Sequence, residues 1–183
     1  ARLRGDPRAR RLLGAGAAVI RFLDVHKRFG DRVVLDGFSL DIPDGQTTVL
    51  LGASGSGKSV ILKHVVGLLR PDAGHVEVDE VRVDTLAPDA LAMLRRRIGY
   101  VFQFAALFDS MSIGDNVRLG LVRQALPTDE IETRVHEALT LVGLPDAGAR
   151  FPAELSGGMR KRVGIARAIA LRPRYILWDE PTT

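Results

Sequence analysis

Apolar and polar side chains alternate along the first part of the chain. The alternating segments, separated by turns at Gly30-Asp31 and Pro43-Asp44-Gly45, are Val19 to Val25, Val33 to Leu35 and Phe38 to Ile42. Alternation with a period of two predicts short strands with one buried face. The pattern therefore predicts a small antiparallel sheet, and the valines of Val76 to Val83 predict a further hairpin.

The pattern changes at Thr47. Thr47 to Leu51 is a continuous apolar run, which predicts a buried strand, and the apolar positions of Val60 to Leu68 recur at helical spacing. Further along, Asp89 to Arg97 predicts a helix, while the apolar runs Ile98 to Phe102 and Tyr175 to Trp178 predict strands. These elements indicate a second, buried sheet.

Residues from about 104 to 155 carry helical and loop patterns. Ser112 and Thr128 are predicted to be N-caps, and a helix that opens at Ser156-Gly157-Gly158 is predicted to run to about Leu171. The glycine-rich loop Gly52 to Gly57 lies between the predicted strand Thr47 to Leu51 and the helix after it, and Asp179-Glu180 follow the last predicted strand. Strand, glycine-rich loop, helix and a later strand ending in acids is the order of a parallel nucleotide-binding sheet. We predict an α/β fold of the P-loop NTPase (RecA-like) class, with a parallel-sheet core, an N-terminal antiparallel β subdomain and a helical insertion.

The glycine-rich loop matches the phosphate-binding pattern G-x-x-x-x-G-K-[S/T]. Its residues are Gly52, Ala53, Ser54, Gly55, Ser56, Gly57, Lys58 and Ser59, followed by Val60. Successive backbone N–H groups in such a loop face phosphate oxygens, helped by the N-terminus of the helix behind it. Lys58 is predicted to neutralise the β- and γ-phosphates, and the Ser59 hydroxyl to bind Mg²⁺. An ordinary glycine-rich turn is the alternative, which the flanking strand and helix patterns disfavour.

A second candidate site lies at the end of the last predicted strand. Asp179 and Glu180 follow Tyr175 to Trp178, at the edge where a parallel sheet presents its ligands. Asp179 is predicted to hold Mg²⁺ through water, and Glu180 to polarise the attacking water as general base. Two acids after a strand are common, so this interpretation depends on the phosphate loop upstream.

A third signal comes from a glycine-containing helix start. Its residues are Leu155, Ser156, Gly157, Gly158 and Met159, followed by Arg160-Lys161-Arg162. A serine N-cap with two glycines behind it exposes backbone amides, which predicts a second anion site in the chain. An ordinary capped helix explains the same residues. The segment alone leaves both interpretations open.

Composition narrows the classes of protein further. The 183 residues contain no cysteine, which excludes disulfides, thiolate metal sites and a cysteine nucleophile. The uncharged stretch 98–108 is about half as long as a membrane-spanning helix requires. Of the net charge of +4, residues 1–11 supply five arginines against one acid, and the rest of the chain is balanced. Residues 1–18 are predicted to be a basic, disordered tail; a membrane or nucleic-acid contact and a signal peptide are the alternatives.

The phosphate loop, Gln103, the Leu155 to Met159 segment and Asp179-Glu180 occur in the order and spacing of the ATP-binding-cassette (ABC) ATPases. This resemblance covers residues 19–183 and implies a domain that binds ATP with Mg²⁺ and hydrolyses it to ADP and phosphate. It also implies that Ser156-Gly157-Gly158 closes over ATP held by the partner's phosphate loop, and hence a homodimer. Gln103 would join Mg²⁺ and the attacking water to the transport partner.

Phe29 stands where the family stacks an aromatic ring on adenine, and a phenylalanine of the core is the alternative there. A narrower resemblance rests on three segments: Phe102 to Met111, Gly57 to Val60, and Ser156 to Arg162. They look like the corresponding segments in the ATPase subunits of Mla-type, MCE-associated phospholipid transporters. This resemblance implies an integral-membrane permease and an MCE lipid-binding protein as partners, no nucleic acid, and a peripheral position at the cytoplasmic face of the inner membrane.

The apolar residues after Gln103 are too close together in sequence to face one core. These residues are Phe104, Leu107, Phe108 and Met111. Part of the cluster is therefore expected to form an exposed groove for a partner helix, and packing inside the helical subdomain is the alternative.

The sequence departs from the family pattern at three points. Met159 replaces the usual glutamine of the signature, and Asp79-Glu80 stands where a hairpin prefers Asp-Gly. The chain also ends at Thr183, where the family continues with further strands and a histidine, so we expect a C-terminally truncated cassette. Two alternative functions remain: a soluble ABC-type ATPase of DNA repair or translation, and a fragment that binds nucleotide without hydrolysing it.

Overall fold

The computed structural model describes residues 18–179, which divide between Met93 and Leu94 into two compact units. Within this part of the chain, no helix has the length and apolar character needed to cross a membrane. The predicted tail falls almost entirely outside the described residues.

The first unit contains a four-stranded antiparallel sheet. In sheet order its strands are β2 (Arg32–Pro43), β1 (Ala18–Phe29), β3 (Ala73–Val78) and β4 (Val81–Arg82). This confirms the predicted antiparallel sheet. The two segments predicted between 33 and 42 form one strand, because a register shift between the pairs Val25–Phe38 and Lys27–Leu35 interrupts the alternation without ending the pairing.

The turn between β3 and β4 forms without glycine. Asp79 and Glu80 both have positive φ, 49° and 65°, which is the backbone geometry of a tight two-residue hairpin turn. Asparagine, aspartate and glycine adopt this geometry most easily, so Glu80 holds it at a cost of about 1 kcal/mol. The hairpin predicted around this turn is confirmed.

No strand forms over residues 47–51. The first unit continues from β2 through irregular backbone to α1 (Lys58–Val65). After β4 comes α2 (Pro88–Arg96), within which the division between the units falls. Val49 and Leu51 are 69% and 84% exposed. A strand needs a neighbouring strand to take its backbone hydrogen bonds, and an apolar run does not by itself supply one. The strand predicted from this run is therefore wrong for the structure described.

The second unit contains a parallel strand pair, β5 (Ile98–Val101) and β6 (Tyr175–Trp178). Their register runs from Ile98 opposite Tyr175 to Val101 opposite Trp178. Parallel neighbours require a crossover connection, and here the helices α3 (Ile113–Arg118), α4 (Thr128–Leu141) and α5 (Gly157–Ile169) lie between them in sequence. Both predicted strands are confirmed, and their pairing agrees with the predicted parallel sheet.

The three helices of the second unit enclose an apolar core. Its buried members are Ile113, Val117, Leu121, Ile131, Val135, Ala138, Leu139, Leu144, Ala147, Leu155, Val163, Ala166 and Ala170. Ser112 caps α3 as predicted, since its hydroxyl accepts a hydrogen bond from the Asp115 backbone N–H. Thr128 does not cap α4: it is the first helical residue, and the N-cap is Pro127, whose side chain offers no acceptor.

Candidate nucleotide-binding site

The phosphate loop ends at the start of α1. Gly57 is the N-cap of this helix, at φ 108°, and it makes no side-chain capping hydrogen bond. A residue with a Cβ is strained at this φ, which accounts for the glycine. The first turn carries no acidic side chain either. The helix dipole therefore directs positive potential at the loop with no carboxylate of the first turn to offset it, a condition under which a helix start binds an anion.

Lys58 folds back over this loop. Its Nζ donates hydrogen bonds to the carbonyl oxygens of Gly52, at 3.0 Å, and Ala53, at 3.2 Å. The ammonium group thus lies against the backbone of the loop that is predicted to bind phosphate.

Ser56 has a buried hydroxyl with no hydrogen-bond partner. The residue is 3% exposed, and a Cβ on Gly52 would lie 2.7 Å from the Ser56 Oγ, so a side chain at position 52 would force this hydroxyl to move. A buried hydroxyl without a partner costs about 1–3 kcal/mol. The donor chemistry of this loop fits a phosphate group, which accepts hydrogen bonds on several oxygens.

The β1–β2 hairpin also contacts the loop, through a residue that the sequence patterns did not single out. The Arg32 Nη2 donates to the Gly55 carbonyl oxygen at 2.8 Å. Gly55 has φ 74°, and its carbonyl is held by this contact. No local pattern marks Arg32, since its partner is distant in sequence.

Phe29, the predicted adenine-stacking residue, lies at the end of β1. Its ring is 46% exposed, which is not the position of a core side chain. The Lys27 Nζ lies 5.6 Å from the ring centroid, and the same ammonium pairs with the Asp72 carboxylate at 2.7 Å. The ring therefore lies next to an ammonium group whose charge is offset by a carboxylate, and it is partly accessible to solvent.

Gln103 lies in the second unit, half-buried in the turn that follows β5. The next turn residues, Ala105 and Ala106, have φ values of 56° and 47°. The guanidinium of Arg167 on α5 donates to the carbonyl oxygens of both alanines, at 2.6 and 2.7 Å. Partial burial lowers the pKa of Arg167. A half-buried guanidinium thus fixes two residues with positive φ in the turn after Gln103.

The apolar cluster after Gln103 divides between core and surface. Leu107 packs against the helical core, whereas Phe104 and Phe108 are 83% and 55% exposed. Buried Asn116 fixes the intervening backbone: its side chain accepts from the Phe108 N–H and donates to the carbonyl oxygens of Phe108, Met111 and Ser112. The expectation that part of the cluster is exposed is confirmed.

The signature segment begins α5. Ser156 is the N-cap, and its hydroxyl accepts from the Met159 N–H at 3.2 Å, as predicted. Gly157 and Gly158 are exposed, and a Cβ on Gly158 would meet no atom within 4 Å. Met159 is partly buried against the helical core. An apolar side chain suits that position, which gives a physical reason for methionine in place of glutamine.

Asp179 follows β6 and is 7% exposed. Its backbone N–H donates to the Val101 carbonyl at 3.0 Å, and its Oδ2 accepts from the hydroxyl of Tyr100 at 3.1 Å. Burial, and then the charge of Asp179, raise the pKa of the Tyr100 phenol. The sequence patterns missed Tyr100. The predicted general base, Glu180, lies outside the described residues.

Comparison with known proteins now identifies the family. The family model described as "ABC transporter" matches residues 35–183, which include the phosphate loop, the signature segment and Asp179. The chain belongs to the ABC transporter family. Its described residues form part of the ATP-binding cassette.

Curated relatives of the cassette are ATP-binding proteins of importers. The methionine import ATP-binding protein MetN of Rhizobium johnstonii is 42% identical over 169 residues, which are 92% of this chain and 47% of the relative. The sulfate/thiosulfate import ATP-binding protein CysA of Synechocystis is 42% identical over 161 residues, covering 86% and 43%. The chain thus spans about half the length of the curated relatives it matches. These relatives do not support the narrower resemblance to phospholipid transporters.

Solved cassettes have the same fold. The ATP-binding cassette MJ0796, described as a dimer in a post-hydrolysis state bound to ADP and Pi, aligns with a TM-score of 0.82 and 34% identity over 89% of this chain and 74% of that one. CbiO1 from Clostridium perfringens aligns with a TM-score of 0.78 and 31% identity over 89% and 65%. The predicted P-loop NTPase fold class is confirmed.

Proposed function

We propose that this cassette binds MgATP and hydrolyses it to drive a membrane transporter. The observation that carries the proposal is the phosphate loop: a helix start with glycine as its N-cap, a lysine that bonds back onto the loop, and a buried hydroxyl without a partner. The oxygens of a polyphosphate can accept hydrogen bonds from backbone amides, from an ammonium group and from a hydroxyl, so the donors of this loop suit such a ligand. ATP is the ligand that the family membership supports.

The residues around the phosphates have separate tasks in this proposal. Lys58 holds the β- and γ-phosphates and offsets the charge that develops during transfer, while the Ser59 hydroxyl and the Asp179 carboxylate supply oxygen ligands for Mg²⁺. Bound Mg²⁺ would neutralise phosphate charge. Glu180 takes a proton from the attacking water, and Gln103 orients that water. Phe29 stacks on adenine, for which its exposed ring is suited.

The signature segment acts on a second copy of the cassette. Gly157 and Gly158 leave the first turn of α5 without side chains, so another molecule can approach its backbone closely. We infer a homodimer in which Ser156 to Gly158 of one cassette contact the ATP bound by the other. The dimeric description of MJ0796 supports this arrangement.

Two sets of observations support different transported substrates. The curated relatives are ATP-binding proteins for import of methionine and of sulfate or thiosulfate, which supports a small polar solute. The residues from Phe102 to Met111, with Val60 and Met159, support a phospholipid and an MCE partner instead. In both cases exposed Phe104 and Phe108 offer an apolar contact for a permease at the membrane.

The decisive experiment measures MgATP hydrolysis and ATP binding by the full-length product, with and without its permease, beside a Glu180→Gln variant. Loss of the general base should lower hydrolysis by about 100-fold or more while ATP binding remains. Equal hydrolysis by both proteins would contradict the role of Glu180. Binding without hydrolysis by the wild type, even with the permease, would indicate a nucleotide-binding module.

The same reconstituted transporter distinguishes the substrates. Methionine, sulfate or a phospholipid vesicle of stated composition is added, and the stimulation of hydrolysis is compared. Stimulation by a solute together with its binding protein would remove the phospholipid assignment. Stimulation only with an MCE protein and lipid would establish it.

A further inference from the structure

Asp179 is held by strand β5 at two points. Its backbone N–H donates to the Val101 carbonyl oxygen, and its Oδ2 accepts from the Tyr100 hydroxyl at 3.1 Å. Both contacts follow from the parallel register of β5 and β6, in which Tyr100 lies opposite Leu177 and Val101 opposite Trp178. Asp179 continues this ladder by one residue. The position of its carboxylate therefore depends on a side chain of the neighbouring strand.

The Tyr100 ring is itself constrained. The ring centroid of Phe102 lies 4.4 Å from that of Tyr100, at an interplanar angle of 36°. This contact limits the rotation of the tyrosine side chain, so its hydroxyl is directed at the carboxylate by packing as well as by the hydrogen bond. Since Asp179 is buried, its side chain has few other orientations stabilised by water.

We propose that Tyr100 is a positioning residue for nucleotide-bound Mg²⁺, acting through the Asp179 carboxylate. This inference rests on the proposed function, in which Asp179 is an oxygen ligand of the ion or of its water. Hydrogen bonds to a ligating carboxylate fix its orientation, and loss of such a partner typically costs ten- to a hundredfold in metal affinity. Tyr100 makes no contact with nucleotide in this role.

A merely structural role for the same hydrogen bond makes a different prediction. If the phenol only satisfies a buried carboxylate, its removal destabilises the fold and affects nucleotide binding equally with and without metal. If it positions the carboxylate, its removal affects only the metal-dependent part of binding. The two roles are therefore separated by comparing nucleotide affinity in excess Mg²⁺ with affinity in excess EDTA.

The experiment uses the full-length protein and a fluorescent, non-hydrolysable ATP analogue. Tyr100→Phe removes one oxygen and should raise the Kd in Mg²⁺ by about tenfold, the lower end of the range for such partners, while the Kd in EDTA changes less than about twofold. Tyr175→Phe is the matched control: it removes the same atom from the chain's other tyrosine, on β6, and should change neither Kd. Thermal unfolding checks that both variants are folded.

A double variant tests the route through Asp179. On an Asp179→Asn background, Tyr100→Phe should produce no further increase in the Kd with Mg²⁺. An equal increase on both backgrounds, or an equal change of Kd in Mg²⁺ and EDTA, would overturn the positioning role. Wild-type protein that binds the analogue equally well in Mg²⁺ and EDTA would overturn the proposed Asp179–Mg²⁺ interaction itself, and absent binding would overturn the proposed function.

Discussion

Two helices of this cassette begin with glycine-containing segments, yet their N-termini are satisfied differently. At α1 the N-cap is Gly57, which makes no side-chain capping hydrogen bond. At α5 the N-cap Ser156 accepts from the Met159 N–H. The second helix start therefore carries a side-chain cap, whereas the first does not.

The two helix starts need glycine for different reasons. Gly57 is required by the backbone conformation, whereas Gly158 leaves the surface of the helix open to another molecule. Gly57 is required by its backbone, because φ 108° is closed to other residues at low energy. Gly158 lies in regular helix, and a Cβ there meets nothing within the described residues. Helix propensity alone would favour alanine at Gly158. Its glycine is explained by close approach of another molecule, which is what the proposed dimer provides.

The largest expected effect is that of Lys58→Ala in the full-length protein. Loss of the ammonium that bonds to the Gly52 and Ala53 carbonyls removes the charge facing the phosphates, so MgATP hydrolysis should fall by about 100-fold or more. The Kd for ATP should rise as well. Lys63→Ala, on the last turn of the same helix, is the control and should leave both values near those of the wild type. Retained hydrolysis in Lys58→Ala would contradict the phosphate-loop assignment.

Alanine at the two glycines should have opposite effects on stability. Gly57→Ala places a Cβ at positive φ and should lower the free energy of unfolding by about 1–3 kcal/mol. Gly158→Ala should raise it by up to about 1 kcal/mol, because alanine is the better helix former. Urea unfolding of both variants measures the two changes.

ATP hydrolysis by Gly158→Ala tests whether this glycine serves a contact with another molecule. Although the variant is expected to be more stable, its methyl group occupies the space left for the partner's ATP, so hydrolysis should be lost while ATP binding to the monomer remains. Full hydrolysis by a stabilised Gly158→Ala protein would mean that α5 is an ordinary capped helix. That outcome would remove the proposed contact with the partner's ATP.

The two helix starts also show which features of the structure can be predicted from sequence patterns. The phosphate loop and the Ser156 cap were predicted correctly as local structures, because their partners lie within a few residues in the chain. The strand predicted at 47–51 was wrong, since strand pairing depends on residues far away in sequence. Thr128 was mistaken for a cap one residue from the true helix boundary at Pro127.

The long-range contacts of the site were not predictable from local patterns. Arg32 reaches Gly55, Tyr100 reaches Asp179, and Arg167 reaches the turn after Gln103. Periodicity and capping rules describe neighbours in the chain, whereas these three contacts arise from register and packing. A correct prediction of the β5–β6 register would have placed Tyr100 close to Asp179, because the parallel ladder aligns their strands.

The smallest expected effect concerns His64, a buried side chain of α1 that has no titratable counterpart among the buried residues of α5. Its Nδ1 lies 2.6 Å from the Val60 carbonyl oxygen. Burial lowers the pKa of His64 from 6.5; the charge of Lys27 also lowers it, whereas the backbone of Val60 and of Arg70 and the charge of Asp72 have smaller, raising effects. The neutral ring is therefore the form compatible with the folded helix.

Acid should therefore lower the free energy of unfolding through His64 on α1. As the pH falls below 6.5, the unfolded chain takes up a proton that folded His64 resists, so the free energy of unfolding decreases; above 6.5 this contribution is constant. Urea unfolding at about pH 7.5 and about pH 5.5 should show a larger loss for the wild type than for His64→Gln, which cannot titrate. His136→Gln, at an exposed position of α4, is the control and should behave like the wild type. If His64→Gln loses as much stability as the wild type, protonation of His64 does not limit the helix behind the phosphate loop, and the acid sensitivity has its origin elsewhere.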